Sequence, residues 1–553
     1  VKVFTRLCSI MYRPVRLPRY WAELVLVGLM TTGLILRLGP FIHRDLWQDE
    51  LFSVMYASKD YSVVYQILHP LDDRPPLFYL FVRAQLLISS NKFFLRAPSL
   101  ISSMFVIWLL YFMLQKENKL TALTVAGMAA FSPFLIQYSW QVRDYGPLLA
   151  LTAVVIYLYY QQMSKITRGK PVRWREVALL TFLTLAASLL NYSYFVYGLL
   201  LLLVITVLGF FFFQEQRKLF LDYCKKLYLL RLPVYSVVIQ YLLIQRSVIQ
   251  ETTSWIPEFS WQALIGFLTT VGGLTFAFDA ILPTDPYLYV KQLIFLGVLA
   301  VVGLILFWKN RHKLPKVLEM LTIVSTVVFF TNILVMTALG SIVDTSFFLP
   351  NTFVSSAVLF LVGGGVVLSE IIRYLAQRWW TLLVVGSLIG AAAVGSFSTS
   401  YLERYPFVIG DSRVEAYQSY TEAMEILHRI MTDQTQLVVL PFNMQDLIME
   451  YYLPQEVGRK DVLASYLMTK AVNPDVPINH VRPFVRMQKI VVVSTALMFD
   501  DLSAERYYSD TYLKENKEVR SDVLQICGGE LKMVARTSQH VIEQCDVFLR
   551  SGQ

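Results

Sequence analysis

Trp47-Gln48-Asp49-Glu50-Leu51-Phe52-Ser53 follows the first long apolar run of the chain, Trp21 to Leu38. Two adjacent carboxylates flanked by aromatic side chains are costly to keep at a membrane surface, because desolvation disfavours the charged form. Such a pair marks chemistry more often than decoration. It also orients everything that follows. The segment before the apolar run carries Lys2, Arg6, Arg13, Arg16 and Arg19 without an acid. Positive charge next to a first span marks the cytoplasmic side. The Asp49-Glu50 loop therefore lies on the outer face.

Composition agrees with a membrane setting. Of 553 residues 56% are hydrophobic, and the mean hydropathy is +0.51. Soluble chains are about 45–50% apolar. The net charge of +9 does not point to nucleic acid, because the basic residues fall in short loops between apolar runs. The run Trp21 to Leu38 is too long for a signal-peptide core and lacks a small-residue cleavage site, so no removable leader is expected.

Apolar runs near 20–38, 97–115, 120–138, 146–163, 177–193, 196–213, 227–245, 287–307, 317–338, 352–369 and 379–396 predict eleven spans. With that count every strongly basic loop falls inside: Lys116 to Lys119, Lys165 to Arg175, Arg217 to Lys226, Lys309 to Lys316, and Arg373 with Arg378. Pro75 to Ile88 is short and contains Arg83, and counting it as a crossing would invert every later loop. It reads as an interfacial helix inside a first outer loop of 39–96. Trp261 to Leu282 reads as part of a second outer loop, 246–286, with a short extra hairpin as the alternative.

The expected fold is thus a polytopic α-helical membrane protein of about 11 transmembrane helices with a C-terminal extracytoplasmic α/β domain. The membrane domain covers 1–396 and the soluble domain 397–553. The setting is the inner (plasma) membrane, multi-pass, with the N-terminus cytoplasmic. Gln436 to Leu440 and Lys489 to Ser494 read as buried strands, and Thr421 to Met431 and Met444 to Tyr452 as helices. Cys527 and Cys545 lie in this outer domain, where they form a disulfide or remain two buried thiols. Gly363-Gly364-Gly365 sits among apolar residues and reads as close helix packing rather than a phosphate loop.

The topology gathers polar residues on one face. The first outer loop offers Asp49, Glu50, His69, Asp73, Arg74 and Arg96; the next outer connections bring Arg143-Asp144-Tyr145 and Asn191-Tyr192-Ser193-Tyr194. A carboxylate near a helix end suits a general base. An arginine fork suits a phosphate, which it holds through two parallel hydrogen bonds. Arg74, Arg96 and Arg143 are the candidates. Each residue has a plainer reading: Asp49 and Glu50 as helix caps, Arg74 as a snorkelling anchor, Arg96 and Arg143 as partners of nearby acids. His69 reads first as a loop histidine and only second as a metal ligand. Tyr192, Tyr194 and Trp255 suit an aromatic belt, and Glu258 an interface position.

Asp49-Glu50, Arg74-Pro75-Pro76-Leu77-Phe78-Tyr79, Leu95-Arg96-Ala97-Pro98-Ser99, and Ser132-Pro133-Phe134 followed by Arg143-Asp144-Tyr145 occur in that order. Over about residues 20–370 this set resembles the GT-C superfamily of membrane glycosyltransferases, in its protein O-mannosyltransferase and aminoarabinose-transferase branch. The resemblance implies a polyprenyl-phosphate-sugar donor, an outer-face acceptor (glycan, glycolipid or protein), Asp49 as base and Glu50 assisting. No cofactor is required. Asp73 matches an acidic position that can hold a divalent metal ion in those enzymes. Two departures stand out. Arg74 replaces the histidine of many relatives, and Pro350-Asn351-Thr352-Phe353 stands where many carry an Arg-Tyr pair. Two other readings stay open: a transporter or flippase of a lipid-linked saccharide, and a non-catalytic GT-C-like partner protein. Transporters place charges within spans near the midplane, whereas these spans are nearly free of acids.

Overall fold

The computed structural model describes residues 20–43, 46, 48–58, 75–244, 264, 268, 286–343, 350–376, 421–430, 435–440, 489–495, 520–521, 523–524, 527, 529–536 and 540–546. The helices are α1 (Trp21–His43), α2 (Gln48–Ser58), α3 (Pro76–Leu86), α4 (Lys92–Leu114), α5 (Lys119–Phe131), α6 (Pro133–Gln137) and α7 (Tyr145–Thr167). They continue with α8 (Trp174–Leu190), α9 (Ser193–Phe212), α10 (Arg217–Ile244), α11 (Pro286–Asn310), α12 (Lys316–Val343), α13 (Val354–Ala376) and α14 (Thr421–Ile430). Among the described residues, five helices are long and apolar enough to cross a membrane: segments within α1, α4, α9, α12 and α13. The predicted runs 146–163, 177–193, 227–245 and 287–307 also coincide with helices, α7, α8, α10 and α11. The run 379–396 lies outside the described residues.

One predicted span is corrected. The run 120–138 is not a single helix but breaks at Ser132 into α5 and α6. Pro133 lacks an N–H and pushes the residue before it out of the helical region. Ser132 accordingly has ψ 116°, and its hydroxyl caps Leu135 N–H at 3.4 Å. Side-chain caps start other helices too: Asn91 accepts from Phe93 N–H at 2.8 Å, and Asn118 from Thr121 N–H at 3.0 Å.

The membrane helices pack most extensively as α4 on α7, α12 on α13 and α4 on α5. Small residues permit the closest approaches. A Cβ at Gly365 would stand 2.5 Å from Val125 Cγ2, and one at Gly363 would stand 2.9 Å from Ser325 Cβ. The glycine run is therefore a packing face between α13 and its neighbours α5 and α12, as its apolar setting predicts. Polar side chains bridge the same helices: the Thr121 and Ser369 hydroxyls pair at 2.9 Å, and Asn332 Nδ2 donates to Ser356 Oγ at 2.7 Å.

The later part of the chain forms a four-stranded sheet of order β1-β2-β4-β3, with β1 (Thr435–Leu440), β2 (Lys489–Thr495), β3 (Lys532–Arg536) and β4 (His540–Asp546). β1 and β2 are parallel; β4 runs antiparallel to both β2 and β3. Ile490 to Val493 are all buried, as expected for an inner strand covered on both faces. The predicted strands at 436–440 and 489–494 and the helix from Thr421 are present. Met444 to Tyr452 lies outside the described residues.

Cys527 and Cys545 are joined in a disulfide that fastens the turn before β3 to β4, with Cα atoms 5.7 Å apart. The bridge closes a short loop, since the cysteines are 18 residues apart. Loop-closure entropy then gives about 3 kcal/mol of stabilisation. Cys545→Ser is expected to lose it, read as faster limited proteolysis within 397–553 of the full chain. Unchanged proteolysis would count against a stabilising role.

Candidate functional site

The site is built on the N-terminus of α2. Asp49 and Glu50 are its second and third residues, where the helix dipole favours negative charge. Glu50 is fully buried and bound on both oxygens. Arg96 Nε donates to Oε1 at 2.8 Å, and Arg96 Nη2 donates to Oε2 at 2.6 Å. The backbone N–H of Val142 also donates to Oε1, at 2.8 Å. Arg96, likewise fully buried, reaches Phe41 O at 3.4 Å and lies over the Trp140 ring at 5.5 Å. One carboxylate thus ties α2 to α4 and to the turn between α6 and α7. This is the bidentate geometry in which arginine and carboxylate bind most strongly.

Arg143, also buried, donates from Nη1 to Ser53 Oγ at 3.1 Å and lies 5.9 Å above the Tyr145 ring. Asp144 accepts from Asn191 Nδ2 at 2.6 Å, and Asn191 Oδ1 accepts from Ser193 N–H at 2.9 Å. Tyr145 packs edge-on against Tyr138 at 4.7 Å. Tyr192 is half-buried in the turn before α9, and Tyr194 is fully buried. Glu50, Arg96, Arg143, Asp144 and Tyr145 therefore meet at one end of the bundle. Asp73, Arg74 and His69 lie outside the described residues, as do Trp255 and Glu258. Among the described residues no three metal-type side chains come together.

The turn carrying Val142 and Arg143 is held tightly to α4. Ser99 Oγ donates to Gln141 O at 2.6 Å, and a Cβ at Gly146 would stand 2.7 Å from Ser99 Cα. A backbone atom so close must shift. Gly146→Ala is expected to cost about 1–3 kcal/mol by overpacking, measured as a lowered Tm. An unchanged Tm would show that α7 yields freely. Gln85 Nε2 fastens α3 to α4 through Phe94 O at 3.2 Å and Leu95 O at 3.3 Å.

Two buried arginines escaped the loop-based reading. Arg37 in α1 donates to Ser103 Oγ at 2.8 Å, Ala130 O at 2.9 Å and Ala129 O at 3.1 Å. It thereby satisfies carbonyls at the C-terminus of α5, left open where Ser132-Pro133 breaks the helix. Arg231 lies in α10. A charged residue inside an apolar run was the signal available for both.

A second buried apolar cluster joins this end of the bundle to the sheet. It contains Leu51 and Val54 of α2, Phe78 and Tyr79 of α3, Leu427 of α14, Val491 and Val493 of β2, and Ile542 of β4.

No family model matches the chain, and no curated protein matches it. Solved structures do. A structure of the Archaeoglobus fulgidus oligosaccharyltransferase with Zn and sulfate aligns at 13% identity and TM-score 0.45, over 89% of this chain and 70% of its own. ArnT from Cupriavidus metallidurans bound to undecaprenyl phosphate aligns at 14% identity and TM-score 0.42, over 97% of this chain and 100% of its own. The oligosaccharyltransferase AglB from Archaeoglobus fulgidus, with an inhibitory peptide and a dolichol-phosphate, aligns at 13% identity and TM-score 0.45.

Proposed function

We propose that this chain is a membrane glycosyltransferase. It moves a sugar from a polyprenyl-phosphate donor to an acceptor on the extracytoplasmic face. The observation that carries the reading is the buried clamp of Glu50 by Arg96 and Val142 N–H. It fixes the start of α2 and leaves Glu50 no role that needs a free oxygen. Asp49, one residue earlier, is the base: its carboxylate takes the proton of the acceptor hydroxyl as that oxygen attacks the anomeric carbon. The sugar–phosphate bond breaks, the electron pair leaves on phosphate, and the anomeric configuration inverts. Phosphate is already a good leaving group, so no nucleotide site or cofactor is needed.

Arg143, held beside α2 through Ser53, and Arg74, which precedes the Pro75-Pro76 pair in the sequence, stabilise the departing phosphate. Arg96 serves the same site indirectly, by holding Glu50. Asp73 is the position for a divalent metal ion, should the chain use one. The apolar cluster shared by α2, α3 and the sheet supports a soluble domain beside the acceptor entrance, where it selects a glycan or glycolipid. The disulfide supports an oxidising, extracytoplasmic location for that domain.

Purified protein in lipid, supplied with radiolabelled polyprenyl-phosphate sugars and membrane extract from a strain lacking it, should label a glycan, glycolipid or protein in the extract. No label from any donor would contradict the reading.

A further inference from the structure

Arg168-Gly169-Lys170-Pro171-Val172-Arg173-Trp174-Arg175 leads from the end of α7 into the first turn of α8. α7 has 23 residues, so this turn lies about 35 Å from Tyr145, at the end of the bundle opposite the α2 site. Its backbone is fixed. Gly169 takes φ +70°, the left-handed conformation that closes a helix, and Lys170 N–H donates to Lys165 O at 2.9 Å. Val172 is buried, and its carbonyl accepts from Lys226 Nζ of α10 at 3.0 Å. The same ammonium lies 5.7 Å from the Trp174 ring, which is still 49% exposed.

This turn displays Arg168, Lys170, Arg173 and Arg175, all exposed. The acids nearby are already engaged. Glu176 pairs with Lys165 and accepts from Arg173 N–H at 3.1 Å, and Asp222 pairs with Lys226. No other acid occurs in 168–182 or in 217–230. Among the described residues none of the four cations forms an ion pair. The basic turn between α11 and α12 differs, since Arg311 pairs with Glu319 and Lys316 with Glu215, each at 3.8 Å. What the α7–α8 turn faces is set by α8. Arg175, Leu179 and Phe182 recur at i, i+4 and i+7, on one side of the helix. Leu179 is 49% and Phe182 64% exposed, and apolar side chains exposed on a membrane bundle face lipid tails. Arg175 stands one turn, about 6 Å, before Leu179, at headgroup depth. Tryptophan favours that same depth. A soluble polyanion would match the charges but neither Trp174 nor the apolar side of α8.

We propose that the α7–α8 turn is a docking surface for anionic phospholipid headgroups, in the leaflet opposite the α2 site. The guanidinium forks of Arg168, Arg173 and Arg175 take phosphodiester oxygens in charge-assisted hydrogen bonds, and Lys170 adds a point charge. Trp174 seats against the glycerol and the upper acyl chains. Headgroups held there brace α7 and α8 against α10, because Val172 and Trp174 already meet Lys226. The surface stands whether or not the chain transfers a sugar.

The test is native mass spectrometry of the full chain released from nanodiscs of phosphatidylcholine and phosphatidylglycerol in equal parts. Tm is recorded in the same discs and in phosphatidylcholine alone. Wild type should retain phosphatidylglycerol in preference and melt higher in its presence, and added salt should weaken both effects. Lys170→Gln/Arg175→Gln should cut the preference about tenfold and remove most of the gain in Tm. It should melt as wild type does in phosphatidylcholine alone, since it removes only exposed cations without ion pairs. Lys309→Gln/Lys313→Gln takes the same charge from the α11–α12 turn and should change the preference far less. If the first pair fails to fold, Arg168→Gln and Arg173→Gln, made singly, carry the same comparison. Equal losses from the two turns would mean charge spread over the whole face, and a wild type without preference would mean no lipid surface; either result overturns the proposal. A wild type that ignores phosphatidylglycerol yet binds a polyglutamate peptide also overturns it, in favour of an acidic protein partner.

Discussion

Arg96→Met is expected to lower the stability of the chain by about 3–5 kcal/mol. The change strands the Glu50 carboxylate in a fully buried position and removes the guanidinium that binds both of its oxygens. Glu50→Gln should cost less than Arg96→Met, because an amide oxygen still accepts from Arg96 while the cation loses its counter-charge. The double variant Glu50→Leu/Arg96→Met discriminates between a lost ion pair and a lost shape. Two apolar side chains remove both buried charges together, so most of the lost Tm should return. A single Arg96→Met variant that melts like wild type would mean that the pair is not the tie between α2 and α4.

Asp49→Asn is expected to leave Tm nearly unchanged while slowing transfer by about 100-fold to 10000-fold, the usual worth of a positioned general base. The contrast with Glu50 is the point. In the proposed mechanism adjacent acids on one helix start divide the work, Glu50 holding the loop and Asp49 taking the proton. Glu50→Gln should therefore lose activity in step with folding, whereas Asp49→Asn should lose activity in a folded protein. A kcat that falls at unchanged KM would place the Asp49 effect in the transition state rather than in donor binding.

Much of this was legible in the residues. The Val-rich strands β1 and β2 declared themselves, and apart from the run 120–138 the described apolar runs coincide with single helices. The Gly363 to Gly365 run turned out to pack helices, as its neighbours implied. The break at Ser132 was missed although Pro133 stood in plain view: hydropathy averages over a proline, whereas a backbone donor cannot be averaged. The pairing of Glu50 with Arg96 could not be read from a separation of 46 residues. Sequence supplies the two charges but not the packing of α2 on α4 that brings them together. Arg231 was passed over for a different reason. The reading followed charges in loops, and its hydrogen-bond partners, Tyr159 and Thr184, come from α7 and α8, which only the packed bundle brings together. The disulfide lay between these cases, since two cysteines in one outer domain left both pairing and free thiols open.

The most direct measurement is single-turnover transfer from a labelled polyprenyl-phosphate sugar by wild type and Asp49→Asn, each reconstituted in lipid with its Tm recorded alongside. The account predicts a variant as stable as wild type that transfers at least about 100-fold more slowly. A variant equally stable and equally fast would contradict it, removing Asp49 as the base and with it the proposed mechanism.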